Sequence, residues 1–442
     1  MLEKILRRGE KLIPKKIYEM GQPFYHFFLA ILGMLIYNFP AKKMTIIAVT
    51  GTKGKTSTVN FIHSVLNQNG HKAGLISTAN IKIGEQEKIN QSNMSMLGRF
   101  FLQKILKEMY LANCKYVILE VTSQGIKQWR HLGLFIDVAV LTNLSPEHLA
   151  SHNNSFEKYI QTKMRIFKND IFNKLKLILL NSDDEHVVRG NPKNKKTVEV
   201  VDFSLQQVSN ISENLNGVTF DLAGQNYQIN ILGKFNIYNA LPAIILGQKF
   251  GLTDWQIKNG LAKLNLIPGR MEEIKSGQNF RVIIDYAHEK LSINTLLDTA
   301  RNLKNNLENK ILIVLGGDGG GRDGQRLIDL GQAVGQKADI IAITNSDPYF
   351  DDQNFLANSI QNSALAENNF RQENNLEILE NNKNIFVILD REEGIKKIFS
   401  LAKEGDIVLL TTRGSLETMN IMGKKVKSND KEIVQRILSV KD

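Results

Sequence analysis

Gly51-Thr52-Lys53-Gly54-Lys55-Thr56-Ser57 lies between a short β-branched apolar run and a helical stretch. Residues of these types in this order make an anion cradle. The glycines admit backbone N–H groups close to phosphate oxygens, the helix N-terminus favours negative charge, Lys55 reaches outer phosphates, and Thr56 offers a hydroxyl to Mg2+. The strict P-loop consensus is not met, because Val49 stands where its first glycine belongs. Glu120 closes the apolar run YVILEV and is followed by Thr122 and Ser123. A carboxylate at a strand's C-terminal end beside such a loop is placed to hold Mg2+ directly or through water. A third polar loop, 142–148, ends in His148, with His152 four residues on. A histidine there is either a second metal ligand or a hydrogen-bonded surface residue, the commoner role for a lone histidine.

Eight motifs in order resemble the Mur ligase family, and within it the MurE type: GTKGKTS, EVTSQG at 120–125, TNLSPEHLASH at 142–152, YIQTK at 159–163, NSDDE at 181–185, GKFNIYNALPA at 233–243, GRMEE at 269–273 and DYAH at 285–288. The resemblance covers roughly residues 44–442 and implies an ATP-dependent ligase that releases ADP and phosphate. In that chemistry a substrate carboxylate takes the γ-phosphoryl group to become an acyl phosphate, and the amine of an amino acid displaces phosphate. Positioning and charge neutralisation do most of the work.

The same resemblance assigns roles. Gly51, Thr52, Lys53, Gly54, Lys55, Thr56 and Ser57 bind ATP, Asn236 and Asn239 contact the adenine, and Arg270, Asp285 and His288 reach the nucleotide from a C-terminal domain, which implies domain closure. Thr56 and Glu120 hold a first Mg2+, and His148 with a carbamylated Lys163 supports a second. Lys55, His148, Lys163 and Arg270 form the catalytic set, and Thr122, Ser123, Arg322, Asp347, Arg413 and Glu417 contact substrates, the last four the incoming amino acid. From the residues alone, Lys163 also reads as an ordinary surface lysine in a helix, and the two asparagines as helix caps.

Three features depart from the family pattern. MurE-type enzymes open with a substantial domain for the UDP part of the acceptor, and residues 1–43 stand in its place, which leaves a UDP-linked or a lipid-linked acceptor open. The loop that reads D-N-P-Arg in diaminopimelate-adding members is Ser346-Asp347-Pro348-Tyr349, without the Arg that would pair with a distal carboxylate. The late G-K-G-H-E motif is Arg413-Gly414-Ser415-Leu416-Glu417. Alternatives within the superfamily are a MurT-type enzyme on a lipid-linked precursor, which needs a glutaminase partner, and a folylpolyglutamate synthase-like ligase. Outside it stands a basic P-loop ATPase on nucleic acid, whose turnover would weaken steeply with salt. The expected partners are a muropeptide acceptor and an amino-acid donor, with no nucleic acid, for a monomeric enzyme.

These side chains need strands that end beside one another. Residues 44–50, 116–121, 138–141 and 174–180 read as buried strands alternating with helical patterns, which predicts a mostly parallel sheet with helices on both faces. Residues 196–232 read as short alternating strands and 236–250 as a helix. After the Pro-Gly turn in LIPGR (266–270), runs at 282–288, 311–321, 339–347, 384–390 and 406–414 each end in small or polar residues, where open parallel sheets bind ligands. The expected fold is therefore α/β, with a helical segment 1–43, a P-loop-type domain 44–267 and a Rossmann-like domain 268–442.

A chain of 442 residues accommodates that arrangement. The single cysteine, Cys114, excludes a disulfide framework or a Cys-rich metal site and suits a reducing cytoplasm. Of the net charge of +11, an outsized part lies in residues 1–43, where eight Lys and Arg face three Glu. There the nearly uncharged run 24–39, 16 residues long, is shorter than the ~20 needed to cross a bilayer as a helix. It reads either as a helix packed on the body or as an interfacial helix on an anionic membrane, which would bring the enzyme to the inner membrane face.

Overall fold

The computed structural model describes residues 15–439 except 69, 93, 148, 170–171, 191–197, 322–323 and 374–383. They form two compact units, one comprising residues up to Gln207 with Tyr238–Gly260, the other Val208–Ile237 with Leu261 onward.

The first unit is built on eight strands: β1 (Thr45–Thr50), β2 (Lys72–Ile76), β3 (Asn80–Ile83), β4 (Gln86–Ile89), β5 (Cys114–Glu120), β6 (Val138–Leu141), β7 (Leu177–Asn181) and β8 (Glu199–Phe203), in the order β4-β3-β2-β5-β1-β6-β7-β8. β1 runs parallel to both β5 and β6, and only the β2–β3–β4 edge is antiparallel. The central strands are continuous apolar runs because both faces are covered; Ile46, Ile47, Ala48 and Val49 are completely buried. Register places Val49 opposite Glu120 and Thr50 opposite Leu141, so the loops after β1, β5 and β6 leave the sheet at one edge.

The helices of this unit that bear on the site are α1 (Lys15–Ile36), α2 (Lys55–Leu66), α3 (Arg99–Leu111), α4 (Ser123–Lys127), α5 (Phe156–Met164) and α6 (Asn236–Lys249), whose first two residues belong to the second unit. The expected helix at 24–39 is thus longer toward its N-terminus and ends three residues sooner, at Ile36.

The second unit holds a six-stranded sheet of β12 (Glu272–Ile274), β13 (Arg281–Ile284), β14 (Ile311–Gly317), β15 (Ile340–Asn345), β16 (Ile385–Val387) and β17 (Ile407–Leu410), ordered β12-β13-β17-β14-β15-β16 and parallel except for β12. Its core is Val282, Ile284, Leu312, Val314, Val408 and Leu410 with the inner face of the helix Arg391–Leu401. DYAH, the Gly-rich loop from 316, SDPY and TTRG follow β13, β14, β15 and β17 at one end of this sheet. The alternating segment divides in two. Its first strand is β8 of the parallel sheet, and β9 (Val208–Asn214), β10 (Gly217–Leu222) and β11 (Gln225–Ile229) form a separate three-stranded antiparallel sheet within the second unit. The Asn-rich stretch is helical over Gln353–Glu373.

Candidate active site

The loop of residues 51–57 is held from below. Gly51 has φ 146° and Gly54, which caps α2, has φ 81°. A Cβ on Gly51 would strike the Thr142 hydroxyl and one on Gly54 the Asn239 side-chain oxygen. Only glycine fits either position without strain. The loop after β6 ties this turn down, with Thr52 N donating to Asn143 O at 2.9 Å, Lys53 N to Asn143 Oδ1 at 2.8 Å and Thr142 Oγ1 to Lys53 O at 2.7 Å. Asn143 Nδ2 donates to the same Lys53 carbonyl at 3.1 Å. Lys53 itself pairs with Glu147 at 2.6 Å.

Two amines converge on one carbonyl of this loop. Lys55 Nζ donates to Gly51 O at 2.9 Å and Thr52 O at 2.8 Å, and Lys163 Nζ, from the end of α5, donates to the same Gly51 O at 2.8 Å. Lys163 is 2% exposed, with its ammonium 4.7 Å from the Tyr159 ring centre. Burial, and then the positive charge of Lys55, push its pKa well below the ordinary lysine value, with Glu147 opposing them. The surface-lysine reading of Lys163 is excluded by this burial.

Thr56 Oγ1 donates to Glu120 Oε1 at 2.8 Å, and the buried Glu120 also accepts from Thr78 N at 2.7 Å and Thr78 Oγ1 at 3.0 Å. A hydroxyl and a carboxylate side by side at a helix N-terminus are the hard oxygen donors that Mg2+ takes while keeping several waters, so these residues fit the ion. Among the described residues no group of three His, Cys, Asp or Glu is placed to hold a metal. His148, the expected ligand of a second ion, lies outside the described residues.

Ser57 is buried beside Thr56 in the first turn of α2. Thr122 caps α4, accepting from Gly125 N, and Ser123 is held through its hydroxyl, 3.1 Å from His152 Nε2. Burial, with Lys127 and Lys163 nearby, lowers the His152 pKa to about 4, so the ring is neutral and either donates to or accepts from that hydroxyl. Asn239 reaches the same region, its Oδ1 accepting from Thr58 Oγ1 at 3.3 Å, whereas Asn236 Nδ2 donates to Leu232 O at 2.7 Å in the turn preceding α6.

Sequence reasoning missed Thr78 and Tyr159. Thr78 follows β2 at the edge where the other loops emerge, and Tyr159 OH is 3.0 Å from Thr52 Oγ1. The small polar residues after β2 were the available signal for the first; nothing in the sequence pairs residues 52 and 159.

In the second unit, Met271 N donates to Asp285 Oδ2 and Ala287 N to Asp285 Oδ1, which ties the segment after Arg270 to DYAH. The Arg270 guanidinium stacks 4.6 Å over Tyr286 and lines a cavity of about 490 Å3 with Asn216, Gln228, Asn230, Asn265 and Lys275. His288 Nδ1 lies 2.6 Å from Tyr286 O. Arg413 is fully buried, donating to Ser346 O at 2.9 Å and Ser428 O at 3.1 Å, with its guanidinium 4.0 Å from Asp347. Asp347 Oδ1 accepts from Asn420 N at 2.7 Å, and Glu417 is partly exposed. Arg413 and Asp347 thus brace the loops after β15 and β17. Arg322 lies outside the described residues.

A family model described as the Mur ligase middle domain matches residues 49–247, and one described as the Mur ligase, glutamate ligase domain matches residues 269–414. The chain is 30% identical over 420 residues to the UDP-N-acetylmuramoyl-L-alanyl-D-glutamate--2,6-diaminopimelate ligase 1 of Clostridium acetobutylicum, covering 93% of this chain and 81% of that protein. A solved structure of a UDP-N-acetylmuramoyl-L-alanyl-D-glutamate--2,6-diaminopimelate ligase aligns with TM-score 0.58 at 26% identity, over 90% of this chain and 78% of that one. The folylpolyglutamate synthase of Mycobacterium tuberculosis aligns with TM-score 0.67 at 16% identity, over 87% and 92%, a likeness of fold alone.

Proposed function

The chain belongs to the Mur ligase family, and from that premise we propose that it joins an amino acid to a peptidoglycan-precursor muropeptide in the manner of the MurE type, consuming ATP and releasing ADP and phosphate. The observation that carries the mechanism is the convergence of Lys55 and Lys163 on Gly51 O beside the Thr56–Glu120 pair. The loop N–H groups and Lys55, released from the carbonyls it now holds, neutralise the triphosphate as the acceptor carboxylate oxygen attacks the γ-phosphorus and ADP departs. The donor amine then attacks the acyl carbon, loses a proton, and phosphate leaves. Thr56 and Glu120 would hold Mg2+, which would supply positive charge to the phosphoryl oxygens.

Lys163 carries the second part of the proposal. Desolvation and Lys55 disfavour the ammonium form, which favours the amine whose lone pair takes up CO2; the resulting carbamate, after loss of a proton, would be an anion beside Lys55 and the 51–57 loop. With His148 it would hold a second Mg2+. Asn236, Asn239, Arg270, Asp285 and His288 are proposed nucleotide contacts. Thr122 and Ser123 are proposed for the acceptor, and Arg322, Asp347, Arg413 and Glu417 for the donor, with the buried Arg413 acting through the loops it braces. We place the enzyme in the cytoplasm with a peripheral position at the inner membrane face.

The acceptor is UDP-linked in the first reading; the exposed apolar face of α1 favours a lipid-linked one as the second. A matrix of amino acids against UDP-linked and lipid-linked muropeptides, read by phosphate release and product mass, tests both. Product in a UDP-linked well is expected, and product confined to lipid-linked wells would reverse the choice. ATP turnover that needs nucleic acid but neither substrate would overturn the ligase reading.

A further inference from the structure

α1 has two faces, and neither supplies a residue to the proposed ligation chemistry. Its inner face carries Ala30 and Met34, which pack on Leu132 with Phe27, Ile31, Trp129 and Phe135 around them. Gly33 brings the helix close to Phe100 and Gln103 of α3. On the other side Phe24 is 71% exposed, Phe28 69%, Leu32 43%, Leu35 57% and Ile36 59%. Residues at these spacings share one stripe of a helix, and the buried set falls on the opposite one.

The charges around this stripe identify what covers it. No Asp or Glu occurs from residue 20 to residue 84, while Lys15 and Lys16 open α1 and the exposed Lys42 and Lys43 follow it. Lys42 Nζ sits 4.7 Å over Phe39 and 4.8 Å over Phe135, two rings of the cluster on which the inner face packs, which fixes this cation just beyond the C-terminal end of the helix. Lys4, Arg7, Arg8 and Lys11 precede the helix in the sequence. A second copy of the chain docked on this stripe, parallel or antiparallel, would set cationic ends against cationic ends. An anionic surface with an apolar layer beneath it meets both the stripe and its flanks. No helix among the described residues is long and apolar enough to cross a membrane, so the stripe lies along such a surface rather than through it.

We propose that α1 lies in the interface of an anionic phospholipid bilayer, with Phe24, Phe28, Leu32, Leu35 and Ile36 at the acyl boundary and Lys42 and Lys43 among the headgroups. The inference rests on the ligase reading for its purpose, membrane-side precursor assembly, and on α1 alone for its geometry. Flotation of the full-length protein with phosphatidylcholine vesicles, with and without phosphatidylglycerol, tests it. The wild type is expected to float with the phosphatidylglycerol vesicles and to be released by salt. Phe24→Ser/Phe28→Ser/Leu32→Ser should weaken binding roughly tenfold or more without lowering Tm or ligation of a soluble acceptor. Lys42→Glu/Lys43→Glu should reduce the preference for phosphatidylglycerol.

Three results would overturn the proposal: no flotation of the wild type, undiminished flotation of the triple variant, or a wild-type dimer by light scattering that the triple variant converts to monomer. Protein that floats but ligates nothing would sink the ligase reading and leave this one standing. Protein that ligates but never floats would do the reverse.

Discussion

Lys163 is a lysine whose surroundings disfavour its charge. Burial and the neighbouring Lys55 both disfavour the ammonium, and its hydrogen bond to the Gly51 carbonyl is a donation that a neutral amine also makes. A structural lysine so placed would be a poor choice, since an apolar residue would fill the space without the desolvation cost. As a precursor of an anion the placement is productive, because the new charge forms beside Lys55. Lys163→Ala should therefore lower ligation by about two to three orders of magnitude, the range expected for losing one preorganised charge contact. Short carboxylates added to the variant should restore part of the rate by supplying the missing anion. Release of phosphate measured with acceptor and amino acid present checks this; full activity of the variant without any carboxylate would refute the carbamate. His152 and Ser123 make a second buried pair next to this site, and Ser123 owes its orientation to that ring.

The element that orders the phosphate site is the β1–loop–α2 turn, and its left-handed glycines are its weakest points. Gly54→Ala puts a Cβ against the Asn239 side chain at a φ of 81°, a conformation that costs an L-residue roughly 1–2 kcal/mol before the collision is counted. The variant should melt lower and lose most of its thermal stabilisation by ATP with Mg2+; a ligand-induced Tm shift equal to that of the wild type would show that the turn tolerates the change. The strand, the glycines and α2 were legible in the sequence because burial and turn chemistry are local properties. So was the second parallel sheet, whose strands each close on small or polar residues. Neighbours across the sheet were not legible. The pattern marks 116–121 as a buried strand but does not single out 72–76, and it does not show that Thr78 after that strand would bond Glu120. For the same reason residues 199–203 read as part of one segment of short alternating strands although they extend the parallel sheet at β7. In α1 the apolar run reads as uniform, and only the packed structure divides it into a buried stripe and an exposed one.

Over the whole molecule the net charge of +11 has a consequence for acid stability, through histidines buried beside cations. His63 is held to a pKa of about 3 by burial and by Lys82, and its Nε2 lies 3.2 Å from Ala73 O, so the neutral ring donates there. Burial and Arg165 hold His131 at about 3, and burial with Arg99 and Arg130 holds His26 at about 4. Each is neutral in the folded protein and binds a proton in the unfolded chain below the ordinary value of about 6.5. A depressed histidine therefore stabilises the fold fully above that value and progressively less as pH falls toward 3 to 4, because the unfolded state takes up the proton first. The slope is at most about 1.4 kcal/mol per pH unit for each such histidine. Between about pH 7.5 and 5, above the range where carboxylates of ordinary pKa protonate, these rings should dominate the loss. His131→Phe keeps an aromatic ring parallel to Trp129, 6.0 Å away in the native pair, and removes the titrating group whose Nδ1 is buried without a partner. Its Tm should fall less than that of the wild type between those two pH values. Parallel falls in both proteins would mean that His131 titrates alike folded and unfolded, and that the acid sensitivity of the molecule arises elsewhere.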